Sequence, residues 1–133
     1  MKQYVVGMKE SLEKTISESD VYLYAGITGD FNPAHVNESY AQKTPFQTRI
    51  AHGMLSAGLI SSVLGTKLPG PGTIYMNQEL SFTKPVFIGD TICAEVEIIE
   101  IIKRKIAKLK TRCTNQEGAI VVDGIATVML PKE

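Results

Sequence analysis

Between residues 91 and 130 apolar and polar side chains alternate almost without interruption, a period of two that belongs to strands and not to helices. Thr91–Ile102 puts Ile92, Ala94, Val96 and Ile98 on one face and Glu95 and Glu97 on the other. In Ile106–Thr114, Ala107, Leu109, Thr111 and Cys113 alternate with Lys108, Lys110 and Arg112. The turn residues at 115–118 lead into a further strand over 119–130, and an earlier one is expected over 73–82, ended by Lys84 and Pro85. Such short connections predict antiparallel neighbours with one apolar face.

That face needs a cover, and the segment before it supplies one. Residues 50–66 (IAHGMLSAGLISSVLGT) carry no Asp, Glu, Lys or Arg. At 17 residues, broken by His52, Gly53 and three serines, the run reads as a buried helix over 54–68 and not as a membrane span. A helix with no charged face has to be covered on most sides. Its Ser, Ala and Gly positions let a sheet come close, and LPGPG at 68–72 ends it. The pattern predicts a single α+β domain over residues 1–133, an antiparallel sheet wrapped around a long central helix. Open sheet edges favour pairing with a second copy, hence a homodimer or a higher oligomer built from dimers.

Upstream, a strand is expected near 10–16, followed by a helix capped by Ser17 and ended by Gly29. A short helix near 38–43 follows. Lys and Arg number 14 against 14 Asp and Glu, so no global charge favours nucleic acid or an anionic membrane. No basic-then-apolar signal opens the chain, and Cys93 and Cys113, both read on apolar strand faces, are expected as reduced cytoplasmic thiols. Two histidines and no close Cys/His cluster give a zinc site little support. The basic run KRKIAKLKTR at 103–112 could meet phosphates or an acidic carrier protein, but strand alternation alone explains its spacing.

The segment GDFNPAHVNE at 29–38 holds an acid, Asp30, and a base, His35, five residues apart. On one helix they would diverge by about 140°. Pro33 is expected to prevent that continuation, and an Asn-Pro turn with Asn32 as support can fold both groups towards one water. A carboxylate and an imidazole can then exchange protons with it. The other reading has Asp30 capping a turn and His35 capping the next helix, and spacing alone favours it. Gly53 admits a ligand close to the backbone, and its N–H at a helix start could stabilise an oxyanion. His52 reads as a packed histidine, and no G-x-S-x-G context marks Ser61 as a nucleophile.

DFNPAH at 30–35, IAHGML at 50–55 and YMNQELSFTKPVFIGD at 75–90, in that order, resemble the MaoC-like R-specific enoyl-CoA hydratases over about residues 17–130. The resemblance implies a hot-dog fold and reversible syn addition of water to a trans-2-enoyl thioester, with no metal or redox cofactor. It implies that Asp30 and His35 hold and activate water, that Gly53 N–H binds the thioester oxygen, and that Ser61 lines the site. Asn32 would support the loop, while Leu64 and Met129 would limit the acyl pocket. The implied partner is an acyl-CoA substrate. An acyl-carrier-protein dehydratase and a non-catalytic acyl-CoA-binding module are the alternatives.

Overall fold

The computed structural model describes residues 3–132. Strand β1 (Lys9–Thr15) leads through helix α1 (Glu18–Thr28) to two single-turn helices, α2 (Pro33–Val36) and α3 (Glu38–Ala41). The long helix α4 (Gly53–Thr66) follows, and then strands β2 (Ile74–Phe82), β3 (Thr91–Ile102), β4 (Ile106–Thr114) and β5 (Ile120–Met129). The five strands form one antiparallel sheet in the order β1-β3-β4-β5-β2.

The alternation seen in the sequence becomes the two faces of this sheet. Ile92, Ala94, Val96 and Ile98 of β3, with Ala107, Leu109 and Cys113 of β4, are all fully buried. With Val122, Ala126 and Val128 of β5 they pack in one core with Ile60, Val63 and Leu64 of α4. Thr111 joins the buried face because its hydroxyl accepts from Gln78 Nε2 at 3.0 Å. On the outer face, Glu95, Glu97 and Glu100 stand opposite Arg112, Lys110 and Lys108. The strand part of the basic run, Lys108, Lys110 and Arg112, is therefore half of a cross-strand ladder of opposite charges, while Lys103, Arg104 and Lys105 lie exposed in the β3–β4 turn. Asp123 on β5 adds a further acid, 3.3 Å from Arg112 Nε.

Three expectations need correction. Strand β2 does not lie beside β3: it pairs with β5 at the far edge. The 83–90 link is long enough to cross, and it is held by an Ile50–Phe87 bridge and by Ala51 N donating to Val86 O at 2.7 Å. Cys93 shares the outer face with Glu95 and is only partly covered, whereas Cys113 is buried; both thiols are free. Finally, α4 is covered on one side only. Ser56, Ala57, Ile60, Val63 and Leu64 face the sheet, but Met54, Gly58, Ser61, Ser62 and Gly65 remain open within one chain. No helix among the described residues is long and apolar enough to cross a membrane.

Local chemistry sets the ends of the helices. Ser17 and Asp20 form a reciprocal capping box on α1, and Lys14 adds an ion pair to Asp20 at 2.9 Å. Gly29 closes α1 in the left-handed conformation (φ 79°) and donates to Ala25 O. At the end of α4, Lys67 and Leu68 both donate to Val63 O, and Gly70 donates to Leu64 O.

Gly124 on β5 sits so close to β2 that an added Cβ would stand 1.8 Å from Glu79 O, a backbone atom that cannot step aside. Gly124→Ala should therefore cost at least the upper end of the about 1–3 kcal/mol typical of overpacking. Thermal or urea unfolding checks this, and an unchanged midpoint would refute it.

Candidate active site

The site is assembled by two chain segments that lie side by side. The first runs from Gly29 through α2. Asn32 N–H donates to Asp30 Oδ1 at 3.2 Å, and Asn32 Oδ1 accepts from Ala34 N at 3.0 Å. Asn32 is thus the N-cap of α2, with Pro33 in its first turn. Pro33 keeps Asn32 out of the helical region (φ −51°, ψ 125°), as expected, and itself opens α2, because the ring's fixed φ suits a helix start and the missing N–H is not needed there. Of the two roles in the structural reading, Asp30 does close a turn, while Asn37 and not His35 caps α3.

The second segment, 50–52, precedes α4. His35 Nδ1 lies 2.7 Å from Ile50 O, and Ile50 N donates to Ala34 O at 3.2 Å. His52 Nε2 lies 2.9 Å from Asp30 O. A carbonyl oxygen can only accept, so each of these ring nitrogens carries the proton. His35 keeps Nε2 free, and His52 keeps Nδ1. The two rings lie 4.0 Å apart at 34°, and the Tyr24 ring lies 4.7 Å from that of His52. His52 is 2% exposed, and its Nδ1 has no partner.

One ligating atom each from Asp30, His35 and His52 lie within 4.8 Å of one another. A metal and a shared water set different spacings. Donors around a tetrahedral zinc stand about 3.3 Å apart. Two groups hydrogen-bonded to one water stand about 4.6 Å apart, with each bond near 2.8 Å. A mutual limit of 4.8 Å covers both spacings, and the acceptors left free, on the Asp30 carboxylate and at His35 Nε2, suit a donor such as water.

Beside these groups lies a cavity of about 440 Å³ whose lining includes His35, Gly53, Ser56, Phe82, Lys84 and Val86. Gly53 is the first residue of α4, where the helix has no partner for its N–H. Ser56, one turn further on, is fully buried and its Oγ has no partner. Burial pushes the Cys113 thiol up to about 12 and also raises Cys93, so neither is an activated nucleophile.

The residues expected at the site are therefore distributed as follows. Asp30 and His35 come together, with Asn32 beneath them and Gly53 on the adjoining cavity. Ser61 is exposed and lines a different groove of about 380 Å³, with Met54, Gly58, Tyr75, Met76 and Leu80. Leu64 is buried in the core. Met129 is half-buried on β5, opposite Ile74 and Ile106, and lines neither cavity. Two members escaped the sequence reading. His52 was visible only as a histidine before a helix start. Ser56 stood as a lone polar residue on the face that also carries Ile60 and Val63.

Residues 5–119 match the MaoC like domain. The chain belongs to the MaoC-like family. It is 60% identical over 126 residues to the (R)-specific enoyl-CoA hydratase of Rhodospirillum rubrum, covering 94% of this chain and 87% of that protein. It is 42% identical over 121 residues to a mitochondrial 3-hydroxyacyl-acyl-carrier-protein dehydratase of Solanum lycopersicum, covering 89% of this chain and 72% of the other. The structure superposes on R-hydratase PhaJ1 from Pseudomonas aeruginosa with a TM-score of 0.94 at 47% identity, over 98% of this chain and 84% of that one. These MaoC-like relatives share the hot-dog arrangement of sheet and central helix seen here.

A Cβ on Gly53 would stand 2.6 Å from the Phe82 ring, which is half exposed and can swing. Gly53→Ala should therefore fold with little loss of stability while moving Phe82 within the MaoC-like cavity. A crystal structure of the variant checks this, and an unmoved ring would refute it.

Proposed function

We propose that the protein adds water reversibly and syn across the double bond of a trans-2-enoyl-CoA, giving the R-3-hydroxyacyl-CoA. The observation that carries this reading is the meeting of Asp30 and His35, with His52 packed behind them, beside a largely apolar cavity.

The hydrogen bonds suggest the division of labour. With Nδ1–H held by Ile50, neutral His35 offers Nε2 as an acceptor. Asp30 offers the carboxylate oxygen that Asn32 leaves free. One water can then give a hydrogen to each and turn its lone pairs towards C3 of the substrate. As the C3–O bond forms, one of the two groups takes a proton, and electron density moves through C2 onto the thioester oxygen. Gly53 N–H meets that charge. A proton returned to C2 from the same wet side makes the addition syn. The steps balance with water alone and use neither a metal nor a redox group. His52 acts from behind by holding the Asp30 backbone.

CoA is the carrier in this reading because a relative 60% identical over 94% of this chain is named for enoyl-CoA hydration. The charge ladder also engages Lys108, Lys110 and Arg112, so the strand part of the basic run is not a free docking surface for an acidic carrier protein.

We also propose a homodimer. Strand β2 is an unpaired edge that exposes Ile74, Tyr75, Met76 and Phe82, beside the open face of α4. A second copy laid there would cover both and enclose the groove that holds Ser61, which would then line a substrate path between the copies.

Addition of the protein to crotonyl-CoA should remove the absorbance of the conjugated thioester, and chiral analysis should return the R product. Asp30→Asn and His35→Ala proteins with native circular dichroism should each lose at least about 100-fold in kcat, the lower range for a positioned acid or base. Near-full hydration by either variant sinks the assignment. Faster turnover of crotonyl-carrier protein than of crotonyl-CoA would shift it to the dehydratase alternative. Light scattering should give twice the mass of the chain, and a strict monomer would refute the pairing.

A further inference from the structure

We infer that Glu38 and Arg49 are positioning residues for His35, acting through the Ile50 carbonyl. The inference rests on the reading of His35 as a water-holding group. Which nitrogen of His35 is free depends on one bond, Nδ1–H to Ile50 O at 2.7 Å. On its far side that carbonyl is anchored by the Ile50–Phe87 bridge and by Ala51 N donating to Val86 O, so something must hold the residues on its near side.

Glu38, the first residue of α3, does so. Its Oε1 accepts from Arg49 N at 3.1 Å and from Arg49 Nε at 3.1 Å. Thr48 Oγ1 lies 3.0 Å from each of the two carboxylate oxygens. Arg49 then reaches α1, donating Nη2 to Glu18 Oε2 at 2.6 Å and Nη1 to the Tyr22 hydroxyl. Residues 48–50 are thereby tied to α1, α2 and α3 at once, since Ile50 N also donates to Ala34 O.

An exposed ion pair would by itself mean little for stability. This one differs in two respects. The Arg49 side chain is 16% exposed, and the carboxylate takes a backbone N–H from the residue just before the carbonyl that orients His35. That N–H, with Thr48 and the guanidinium, holds the Glu38 carboxyl below the usual glutamate range. Loss of the carboxylate frees the Thr48–Arg49 peptide, two peptides before the one that carries the Ile50 carbonyl, and so loosens the approach of the chain to the acceptor that sets the tautomer and angle of His35. A misplacement of about 1 Å at a reacting group is enough to cost on the order of 100-fold in rate.

The test uses Glu38→Ala, Glu38→Gln and, as a control, Asp123→Asn, which removes an ion pair on the outer face of the sheet. Long-range proton–nitrogen spectra report the tautomer of each ring. With only two histidines in the chain, His35→Ala assigns them. The expected result for Glu38→Ala is loss of the single Nδ1–H state of His35 and a kcat for crotonyl-CoA lower by about 10- to 100-fold, with KM moved much less. Glu38→Gln, which keeps an acceptor for Arg49 N–H, should recover most of both, and Asp123→Asn should change neither. If Glu38→Ala does not fold, Arg49→Lys, which keeps the charge but loses the Nε–H bond to Glu38, carries the same comparison. A folded Glu38→Ala or Arg49→Lys protein with an unchanged His35 tautomer and unchanged kcat overturns the inference. A wild-type protein that does not hydrate enoyl thioesters overturns the hydratase reading instead and leaves the tautomer comparison to decide this one.

Discussion

Two imidazoles, each donating to a backbone carbonyl of the other segment, hold the site together. His35 reaches Ile50 across 15 residues of sequence, and His52 reaches back to Asp30 across 22. The bonds run in opposite directions between segments 30–35 and 50–52, so neither segment can slide without breaking one. They also fix the chemistry. A carbonyl acceptor decides which ring nitrogen carries hydrogen, and so decides which nitrogen remains to face solvent or ligand. The anchoring continues into the fold, because Ile50 bridges Phe87 and Ala51 donates to Val86. The crossing link between β2 and β3 is thus the outer wall of the same construction, and Val86 lines the adjoining cavity.

What could be read from the sequence followed the range of the interaction behind it. Period-two alternation is local, and it marked β3 and β4 at Thr91–Ile102 and Ile106–Thr114, where the structure has them. Capping is local too, which is why Ser17 and Gly29 were legible as the ends of α1. Strand order was not local. The 83–90 link sends β2 to the opposite edge through contacts with residues 50 and 51, and no pattern within the strands encodes those contacts. The site divided in the same way. Asp30 and His35 were visible as a pair because a turn and a short helix suffice to bring them near. His52, Ser56 and the Glu38–Arg49 clamp depend on partners 10 or more residues away or on burial against the sheet.

The outer face of the sheet shows how a feature that looks functional can be absorbed by pairing. Six basic residues within 103–112 suggest a docking surface when read along the chain. Across the sheet, Glu95, Glu97 and Glu100 occupy the facing positions on β3, with Asp123 on the other side at β5. Opposite charges directly across strands are mutually favourable, and like charges are not. Lys108, Lys110 and Arg112 therefore favour the observed β3–β4 register: a slip of one residue would turn them towards the core.

The ends of the helices carry a last contrast. Helices α1, α2 and α3 each begin with a side chain that accepts a backbone N–H: Ser17, Asn32 and Asn37. The longest helix, α4, begins with His52, whose side chain makes no capping bond. A missing cap typically costs about 1 kcal/mol. His52 cannot supply one because its Nε2 is committed to Asp30 O and its Nδ1 lies buried without a partner. The positive end of α4 is left with free N–H groups at Gly53, next to the cavity that His35 also lines. Capping α4 and holding Asp30 are competing uses of one residue. The second has won, and it leaves the helix end open where the site needs a donor.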